Sequence, residues 1–522
     1  YLSTVDSIVA LDPQLGTEHW RHPVETGRPS RRGVAYWRGN DKLGPRIIFT
    51  AGNQLTALSA LSGEKDASFG DNGVIDIGIP YISVPLIYKD LIIVGANTPP
   101  GTRGGIGNPR AFSAIDGTKI WEFNSVPVAG EMGHDSWEGM SWENRLGANA
   151  WPFYFTVDTD KDFLYLPLAS PLPFAFGGDR AGDNLFANSI VAVDIHSGEY
   201  RWHFQTIHHD LWDHDPPAPP TLFDIDLGGR TLPALAATTK SGYLFLLNRI
   251  TGEAIFGVEE RTVPASPLAA EAASPTQPIP VSPPPMARVS FNLDDIVRAD
   301  STSPEHASAC AALVAQLGEI FNEGPYTPWT LRDKNGSGGT TLLFPGLAGG
   351  PNWGGVAFDP NSSLAFVFAA DLGTLGWLET TEQDFPYQLA LPRPSAFAVT
   401  IDGQTLPCQE PPWSHLTAVD TTTGDIVWRI PLGVSESLPP GKQNTGRPGR
   451  AAALVTASDL LFIASTDDNR VRGLQASTGE ILWEHKLNRR GNANPMTYLD
   501  VSGRQLIAIA ATDELFVFGL GE

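Results

Sequence analysis

The stretch AVDTTTGDIVW, residues 418–428, contains the pattern that predicts the fold. An apolar strand ends at an aspartate, and a turn containing glycine reverses the chain with the positive φ that glycine tolerates. A tryptophan then begins the next strand. Its large ring can pack between neighbouring sheets, where it buries a large apolar area. We therefore interpret this tryptophan as a packing residue and not as a ligand-binding one.

The same pattern recurs along the chain. Close copies are ALDPQLGTEHW (10–20), AVDIHSGEYRW (192–202) and GLQASTGEILW (473–483), and looser copies are ALSALSGEKDASF (57–69), AIDGTKIW (114–121) and LLNRITGEAIF (246–256). Several neighbouring copies start about 50 residues apart, which is the spacing of propeller blades. Repeats of this kind predict a set of similar small sheets.

Short apolar strands dominate the rest of the chain, and 53 glycines and 44 prolines leave little room for long helices. A closed ring of sheets would protect the exposed edges of so many strands. A further strand region at 353–370 would raise the number of blades to eight. We predict an all-β, eight-bladed β-propeller with tryptophan-docking repeats, forming a single domain over residues 1–522.

Two stretches in the region 262–330 do not fit a blade. Residues 262–286 are rich in proline, alanine and serine, which predicts a surface excursion in extended conformation. Residues 303–323 have apolar positions at helical spacing after a Ser-Pro start, which predicts a helix laid against the sheets.

The charge balance excludes one class of partner. The formal net charge is −23, whereas binding a nucleic-acid backbone requires positive charge. No run of eighteen apolar residues is present, so we expect no membrane span in this chain. The chain begins at Tyr1 without a basic and apolar leader, as a processed protein would. We expect a periplasmic or extracytoplasmic protein, with membrane association left to a segment outside this sequence.

Cys310 and Cys408 are the two cysteines of the chain, and neither belongs to a CxxC or CxxCH motif. This excludes a zinc site made of thiolates and an attached c-type haem. A disulfide between them would suit an oxidising compartment. Two buried free thiols are the alternative.

Acidic and basic side chains are concentrated in HHDLWDHDPP, residues 208–217, which contains three histidines and three aspartates. The prolines that follow rule out a long helix, so these side chains lie on a loop. Loops held by a rigid scaffold often carry chemistry. Lys240 follows in a segment that is typical of a strand.

Several motifs together resemble those of pyrroloquinoline quinone (PQQ) dependent dehydrogenases. They are RRGVAYW (31–37), GANAW (147–151), HHDLWD with Lys240, GGPNWGG (349–355), LPCQEPPW (406–413) and NPMTYLD (494–500). The similarity runs along the whole chain and is greatest to the catalytic domain of membrane-bound quinoprotein glucose dehydrogenases. It implies an enzyme that oxidises an alcohol, polyol or sugar hydroxyl by hydride transfer to PQQ.

The resemblance also implies the residues that bind the cofactor. Trp151 matches the tryptophan on which the planar cofactor stacks, and Arg32 matches an arginine that grips it through charge-assisted hydrogen bonds. Lys240 matches the cation beside the quinone oxygens, where it would stabilise negative charge. Asn352 and Asn494 match further cofactor-binding positions.

Asp213 matches the aspartate of the family that acts as general base on the hydroxyl proton. We treat the other acids and the histidines of 208–217 as supporting or turn-forming groups. Family members also hold Ca²⁺ or Mg²⁺ with oxygen ligands. Here Asp213 is the one side-chain ligand that matches, and Asn97 or Ser170 would have to substitute for the others.

The resemblance further implies ubiquinone or a separate cytochrome c as electron acceptor. Asp6, at a position where the glucose-oxidising type has histidine, and Asn352, which matches the alcohol-oxidising branch, favour a substrate other than glucose. Two alternatives remain open at this point. One is a propeller scaffold that has lost cofactor loading, and the other is a hydrolase or lyase whose histidines and aspartates in 208–217 bind a transition metal.

Overall fold

The computed structural model describes residues 1–97, 107–143, 155–333, 335–382 and 385–519. These residues form two compact units. Unit 1 comprises Tyr1–Pro173 and Gly182–Gln205, and unit 2 comprises Phe174–Ala181 and Thr206–Glu522. Regular structure in both units is almost entirely β, which confirms the predicted all-β class.

Unit 1 contains four antiparallel sheets in which consecutive strands are neighbours. The first sheet is β1 (Leu2–Ser3), β2 (Ser7–Leu11) and β3 (Glu18–Pro23); the second is β4 (Ala35–Trp37), β5 (Arg46–Ala51), β6 (Gln54–Ser59) and β7 (Val74–Asp76); the third is β8 (Leu86–Tyr88), β9 (Leu91–Val94), β10 (Arg110–Ser113) and β11 (Lys119–Glu122); the fourth is β12 (Thr156–Asp158), β13 (Phe163–Pro167), β14 (Ser189–Asp194) and β15 (Tyr200–Gln205). A short 3₁₀ helix lies at His134–Ser136.

Unit 2 begins with the sheet of β16 (Thr221–Leu227), β17 (Arg230–Thr238) and β18 (Leu244–Asn248). The next elements are β19 (Val258–Thr262), β20 (Thr276–Pro280), a 3₁₀ helix (Leu293–Asp295), α1 (Pro304–Leu317), β21 (Ile320–Phe321), β22 (Thr340–Leu343), β23 (Val356–Asp359), β24 (Leu364–Ala370), β25 (Thr374–Thr380), β26 (Tyr387–Ala390), β27 (Ala398–Ile401) and β28 (Gln404–Pro407). The last elements are β29 (Ser414–Asp420), β30 (Ile426–Pro431), β31 (Leu454–Val455), β32 (Leu460–Ile463), β33 (Arg470–Gln475), β34 (Ile481–Lys486), β35 (Met496–Leu499), β36 (Gln505–Ala511) and β37 (Glu514–Gly519).

The repeated tryptophans dock as the sequence predicts. In unit 1, the Trp20 ring lies against Gly63 of the next repeat, where an added Cβ would come within 2.5 Å of the ring. The indole nitrogen of Trp20 donates a hydrogen bond to the Ala60 carbonyl at 3.0 Å. A side chain at position 63 would therefore displace the ring.

Later copies repeat this arrangement. The indole of Trp121 donates to the Ile195 carbonyl at 2.9 Å and lies against Gly198. In unit 2, Trp428 donates to the Ala476 carbonyl at 2.9 Å and lies against Gly479. In each case the carbonyl belongs to the residue three positions before the glycine. The glycine in the motif therefore serves two purposes, since it makes the turn and leaves room for the ring.

One part of the blade assignment differs from the expectation. The strand region at 353–370 does not form a sheet of its own, because β23 and β24 pair with the strands of the 418–428 repeat in the order β23-β24-β29-β30. The insertion between β24 and β29 contains β25–β28 and separates in sequence two strands that are neighbours in space. The number of blades stays a prediction.

The predicted helix is α1, and it is shorter than expected. It begins after Ser303, whose side chain accepts a hydrogen bond from the His306 amide, and it ends before Gly318 at φ 73°. Its buried face includes Cys310, which forms a disulfide with Cys408, 98 residues later in the chain. The free-thiol alternative is therefore wrong. Among the helices of the described ranges, none has the length and apolar character needed to cross a membrane.

The proline-rich excursion is more ordered than a purely extended surface segment. Its strand β20 pairs antiparallel with β19, which leads into it, over the whole length of both strands. Gln277 on β20 is fully buried, although the surrounding sequence is mostly small residues and proline. A buried amide side chain in such a segment indicates a specific polar contact.

Candidate active site

The 208–217 segment is a loop without regular secondary structure, as predicted. Asp210 organises its turn: its Oδ1 atom accepts from the Trp212 amide at 2.8 Å and its Oδ2 atom from the His214 amide at 3.1 Å. Asp213 has a left-handed backbone, with φ 58°. Aspartate tolerates this conformation better than most residues. The turn leaves the side chain of Asp213 directed at Lys240.

Lys240 joins two carboxylates of this loop. Its Nζ atom lies 2.9 Å from Asp213 Oδ2 and 2.9 Å from Asp215 Oδ1. The Lys240 side chain is 7% exposed and that of Asp215 is fully buried, whereas 30% of the Asp213 side chain is exposed. Asp213 is therefore the member of this group that a small molecule can reach. The family resemblance assigns Asp213 and Lys240 to one site, and the structure brings these two side chains together.

Burial and charge perturb all three groups. Burial raises the pKa of Asp213, and the ammonium of Lys240 acts against that rise. Burial raises the pKa of Asp215 to about 7, again opposed by Lys240. Burial alone would lower the pKa of Lys240, but the charges of Asp213 and Asp215 raise it well above its usual range. Lys240 is thus a permanent cation, and the two carboxylates compete for it.

His214 is not suited to bind a proton near neutral pH. Burial lowers its pKa to about 4, which leaves a neutral imidazole. Its Nε2 atom lies 3.3 Å from the Gly346 carbonyl in the GLAGGPNWGG loop, residues 346–355. The neutral ring therefore connects the two loops and adds no charge to the site.

The GLAGGPNWGG loop passes very close to Lys240. The Gly350 amide donates to the Lys240 carbonyl at 3.1 Å. A Cβ added to Gly349 would come within 2.6 Å of Lys240 Cβ, and Gly349 has φ +76°. Glycine at 349 thus permits the close approach that fixes the lysine backbone.

Asn352 lies in the same loop and is largely buried. Its Nδ2 atom donates to the Ala348 carbonyl, and its Oδ1 atom accepts from the Trp353 amide at 2.7 Å. These bonds shape the loop that contacts Lys240. The structure therefore connects Asn352 to the Asp213–Lys240 pair through this loop.

Asn494 reaches the same loop from a different element. Its Nδ2 atom donates to the Gly354 carbonyl at 3.0 Å, and its Oδ1 atom accepts from the Ala452 amide at 2.8 Å. The side chain is exposed and bridges two backbone segments. Of the residues predicted for the site, Asp213, Lys240, Asn352 and Asn494 belong to unit 2 and are connected in this way.

The other predicted residues belong to unit 1 or lie outside the described residues. Arg32 donates to the Ile82 carbonyl at 3.2 Å. Ser170 is buried and accepts from Asn188 at 3.2 Å, and the backbone amide of Asn97 donates to the Pro80 carbonyl at 2.8 Å. Trp151 lies outside the described residues.

Two residues that sequence reasoning missed hold the start of the 208–217 loop. Gln277 exchanges two hydrogen bonds with the His208 backbone, at 2.9 and 2.8 Å. Glu271 Oε1 lies 3.2 Å from His209 Nε2, and both side chains are almost completely buried. The only sequence signal for them is that they are polar residues in a segment of alanine, serine and proline.

In the described ranges, no group of three histidine, cysteine or carboxylate ligands surrounds Asp213. Within the described ranges, the one close group of three potential histidine, cysteine or carboxylate ligands is His306, Cys310 and Cys408, and both sulfurs are bonded to each other. Beside Asp213 the nearest described cation is the ammonium of Lys240. The described geometry thus gives no support to the hydrolase or lyase alternative, which needs a transition metal here.

Comparisons with known proteins agree with the fold and with the motifs. The family model "PQQ: Glucose/ethanol/alcohol dehydrogenase, beta-propeller domain" matches residues 1–507. The chain is 29% identical to a quinoprotein glucose dehydrogenase from Escherichia coli, over 98% of this chain and 68% of that protein. It is 28% identical to a quinate/shikimate dehydrogenase (quinone) from Acinetobacter baylyi, over 97% of this chain and 68% of that protein.

A solved structure shows the same fold. The quinohemoprotein alcohol dehydrogenase from Comamonas testosteroni matches with a TM-score of 0.66 at 21% identity, over 97% of this chain and 68% of that chain. Together with the family match over residues 1–507, this similarity identifies the repeated small sheets as those of a β-propeller.

Proposed function

Because this chain belongs to the family of PQQ-dependent glucose, ethanol and alcohol dehydrogenases with a β-propeller domain, we propose that Asp213 is its general base. In this proposal the chain oxidises an alcohol, polyol or sugar hydroxyl. The observation that supports it most directly is the partly exposed carboxylate of Asp213, held 2.9 Å from the buried ammonium of Lys240.

Asp213 has the properties that a base needs. One oxygen, Oδ2, is bonded to Lys240, so we assign proton uptake from the substrate hydroxyl to Oδ1. Burial raises the pKa of Asp213 and makes the carboxylate more basic than an aspartate in water, while Lys240 favours its ionised form. A positioned base of this kind contributes roughly 10²- to 10⁴-fold to a rate.

Lys240 is proposed to have two roles. It orients Asp213, and its buried positive charge stabilises negative charge that develops beside it. When bound, PQQ supplies an ortho-quinone that accepts the carbinol hydrogen as hydride. A fixed cation at this position fits an anionic cofactor.

Asp215 completes the charge arrangement. It is fully buried and shares Lys240 with Asp213. Because its pKa is raised to about 7, we infer that it holds part of a proton at neutral pH. That proton reduces the competition for Lys240 and leaves the ammonium to Asp213.

Arg32, Trp151, Asn352 and Asn494 are proposed as further cofactor-binding residues. A Ca²⁺ or Mg²⁺ ion bound by Asp213, with Asn97 or Ser170, stays a prediction of the family resemblance. Ubiquinone or a separate cytochrome c is proposed as electron acceptor.

A periplasmic or extracytoplasmic location is also proposed. The disulfide between Cys310 and Cys408 supports it, since such bonds persist in oxidising compartments. Membrane association through a segment outside this sequence is part of the same proposal. For the fold, we keep the proposal of eight blades in one domain over residues 1–522.

The substrate is proposed to be a polyol, a cyclic alcohol or a bulky secondary alcohol. The relatives act, by their names, on glucose and on quinate or shikimate, so the family accommodates ring-shaped hydroxyl compounds. Asp6, one of the two residues behind the expectation of a substrate other than glucose, is exposed and accepts from Ser7 at 2.8 Å.

A cofactor titration tests the proposal. The purified chain is incubated with PQQ, with and without Ca²⁺ or Mg²⁺, and absorbance reports loading. Reduction of an artificial electron-accepting dye with a panel of alcohols then reports turnover. Saturable loading and alcohol-dependent dye reduction are expected. Absence of loading under all ion conditions would favour the scaffold alternative and contradict the enzyme.

A further inference from the structure

The start of the 208–217 loop is held by residues of the excursion 262–286. The His208 amide donates to Gln277 Oε1, and Gln277 Nε2 donates back to the His208 carbonyl. The side-chain amide of Gln277 thus forms with the His208 backbone the two hydrogen bonds that a neighbouring strand would form. The next residue, His209, has a left-handed backbone with φ 47°. A histidine in this conformation is maintained by its surroundings.

Glu271 provides a second anchor from the same excursion. It faces His209 at 3.2 Å and also accepts from the Gly177 amide through both carboxylate oxygens, at 3.1 and 3.0 Å. Burial would raise the pKa of Glu271, but hydrogen bonding from His209 and from backbone amides lowers it. The glutamate is therefore ionised, and in its buried position its carboxylate is held by His209 and by the Gly177 amide.

A third segment, Phe174–Ala181, lies between the excursion and the loop. A Cβ on Gly177 would come within 2.2 Å of His209 Nε2, and a Cβ on Gly178 within 1.9 Å of the Ala270 carbonyl. Arg180, fully buried, donates to the Asp210 carbonyl at 2.6 Å. The loop, this segment and the excursion are therefore packed without space between them.

We propose that the excursion is a positioning element for the reaction: Gln277 and Glu271 fix His208 and His209, and thereby the direction in which Asp213 presents its carboxylate. The inference rests on the proposed function, because it assumes that Asp213 is the base. Gln277 and Glu271 touch neither Asp213 nor Lys240 in any described contact. They act through the backbone of 208–210 and through Asp210, which caps the amides of Trp212 and His214.

The geometry distinguishes this role from general stabilisation. The first strand of the β19–β20 hairpin is largely exposed, and the described hydrogen bonds and ion pairs from this region to the loop are made by Gln277, Glu271 and Glu260. Such polar contacts fix the orientation of the 208–217 loop more than they bury apolar surface. Misplacement of a reacting group by about 1 Å can cost about 100-fold in rate, so losing these bonds should reduce turnover before it unfolds the chain.

The test compares Gln277→Leu and Glu271→Gln with a matched control, Glu259→Gln, on the exposed strand of the same hairpin. Hydrogen exchange is measured in the full chain for peptides covering 206–216, and kcat and KM for an alcohol are measured on the PQQ-loaded protein. We expect both variants to exchange faster in 206–216 and to lose about 10-fold or more in kcat, with KM changed less than about twofold. Glu259→Gln should match the wild type.

The outcomes separate the two proposals. Unchanged exchange in 206–216 in both variants would overturn the positioning role, as would faster exchange with kcat intact. A fall in melting temperature that accompanies the loss of activity, with exchange raised throughout unit 2, would also overturn the positioning role. A wild-type chain that loads PQQ but oxidises no alcohol would instead overturn the proposed function.

Discussion

The Nζ atom of Lys240 lies 2.9 Å from Oδ1 of Asp215, a carboxylate with no exposed surface, while the same ammonium also holds the partly exposed Asp213. One ammonium group therefore forms ion pairs with two carboxylates that differ in their exposure to solvent. Burial, together with the nearby charge of Asp213, raises the pKa of Asp215 to about 7, and the ammonium of Lys240 opposes this rise.

The raised pKa of Asp215 predicts a pH dependence of stability. An unfolded aspartate titrates near 3.8, so between about pH 4 and pH 7 the folded chain holds a proton that the unfolded chain releases. This group therefore makes the folded state less stable as pH rises through that window. Asp215→Asn should flatten the slope of melting temperature against pH between 5 and 7. The exposed Asp300→Asn is the control, and an unchanged slope in Asp215→Asn would contradict the assignment.

The contact between Gly349 and Lys240 predicts an effect of a single added methyl group. Gly349→Ala places a Cβ within 2.6 Å of Lys240 Cβ and should lower turnover at least about 10-fold by displacing the ammonium. Gly336→Ala is the control, because Gly336 has a similar positive φ of +81° but open space around it. Steady-state kinetics of both variants check this, and equal turnover would show that the close approach is not required.

The docking arrangement predicts a difference between two glycines of identical φ. Gly479 and Gly403 both have φ +76°, but a Cβ at 479 would meet the Trp428 ring at 2.9 Å and one at 403 would meet nothing. Urea unfolding should show that Gly479→Ala loses about 1 to 3 kcal/mol more stability than Gly403→Ala, as expected for overpacking. Similar losses of stability in the two variants would mean that the Trp428 ring moves without cost to accommodate the added methyl group.

The disulfide between Cys310 and Cys408 predicts sensitivity to reductant. It closes a chain segment of 98 residues and ties α1 to the end of β28. Reduction should cost about 2 to 5 kcal/mol of stability. Melting temperature measured with and without dithiothreitol checks this, and the variant with both cysteines changed to serine should show no response. A wild-type melting temperature that dithiothreitol also leaves unchanged would argue against the bond.

Some of this molecule could be predicted from its sequence because the signals are local. The turn, the glycine and the tryptophan of each close copy of the repeat lie within eleven residues. The Asp213 loop and Lys240 are separated in the chain by the hairpin of β16 and β17 alone. The packing role of Trp20 and Trp428 follows from the repeat, whereas their partners in the next copy were found in the structure.

Other features depend on residues far apart in the chain. The pairing of β24 with β29 was hidden by the insertion that contains β25–β28. Gln277 and Glu271 carried no motif, since their role arises only when the excursion packs on 208–210. The burial of Asp215, which sets its pKa, is likewise a property of the folded chain.

The proton transfer assigned to Asp213 is the central claim. Asp213→Asn keeps the shape of the side chain and its contact with Lys240 but removes the base, and exposed Asp224→Asn on β16 is the matched control. Both are loaded with PQQ, checked by absorbance, and assayed for alcohol-dependent dye reduction at saturating substrate. We predict that Asp213→Asn binds PQQ and loses about 10²- to 10⁴-fold in kcat, while the control keeps wild-type turnover. Wild-type turnover in loaded Asp213→Asn would contradict the account.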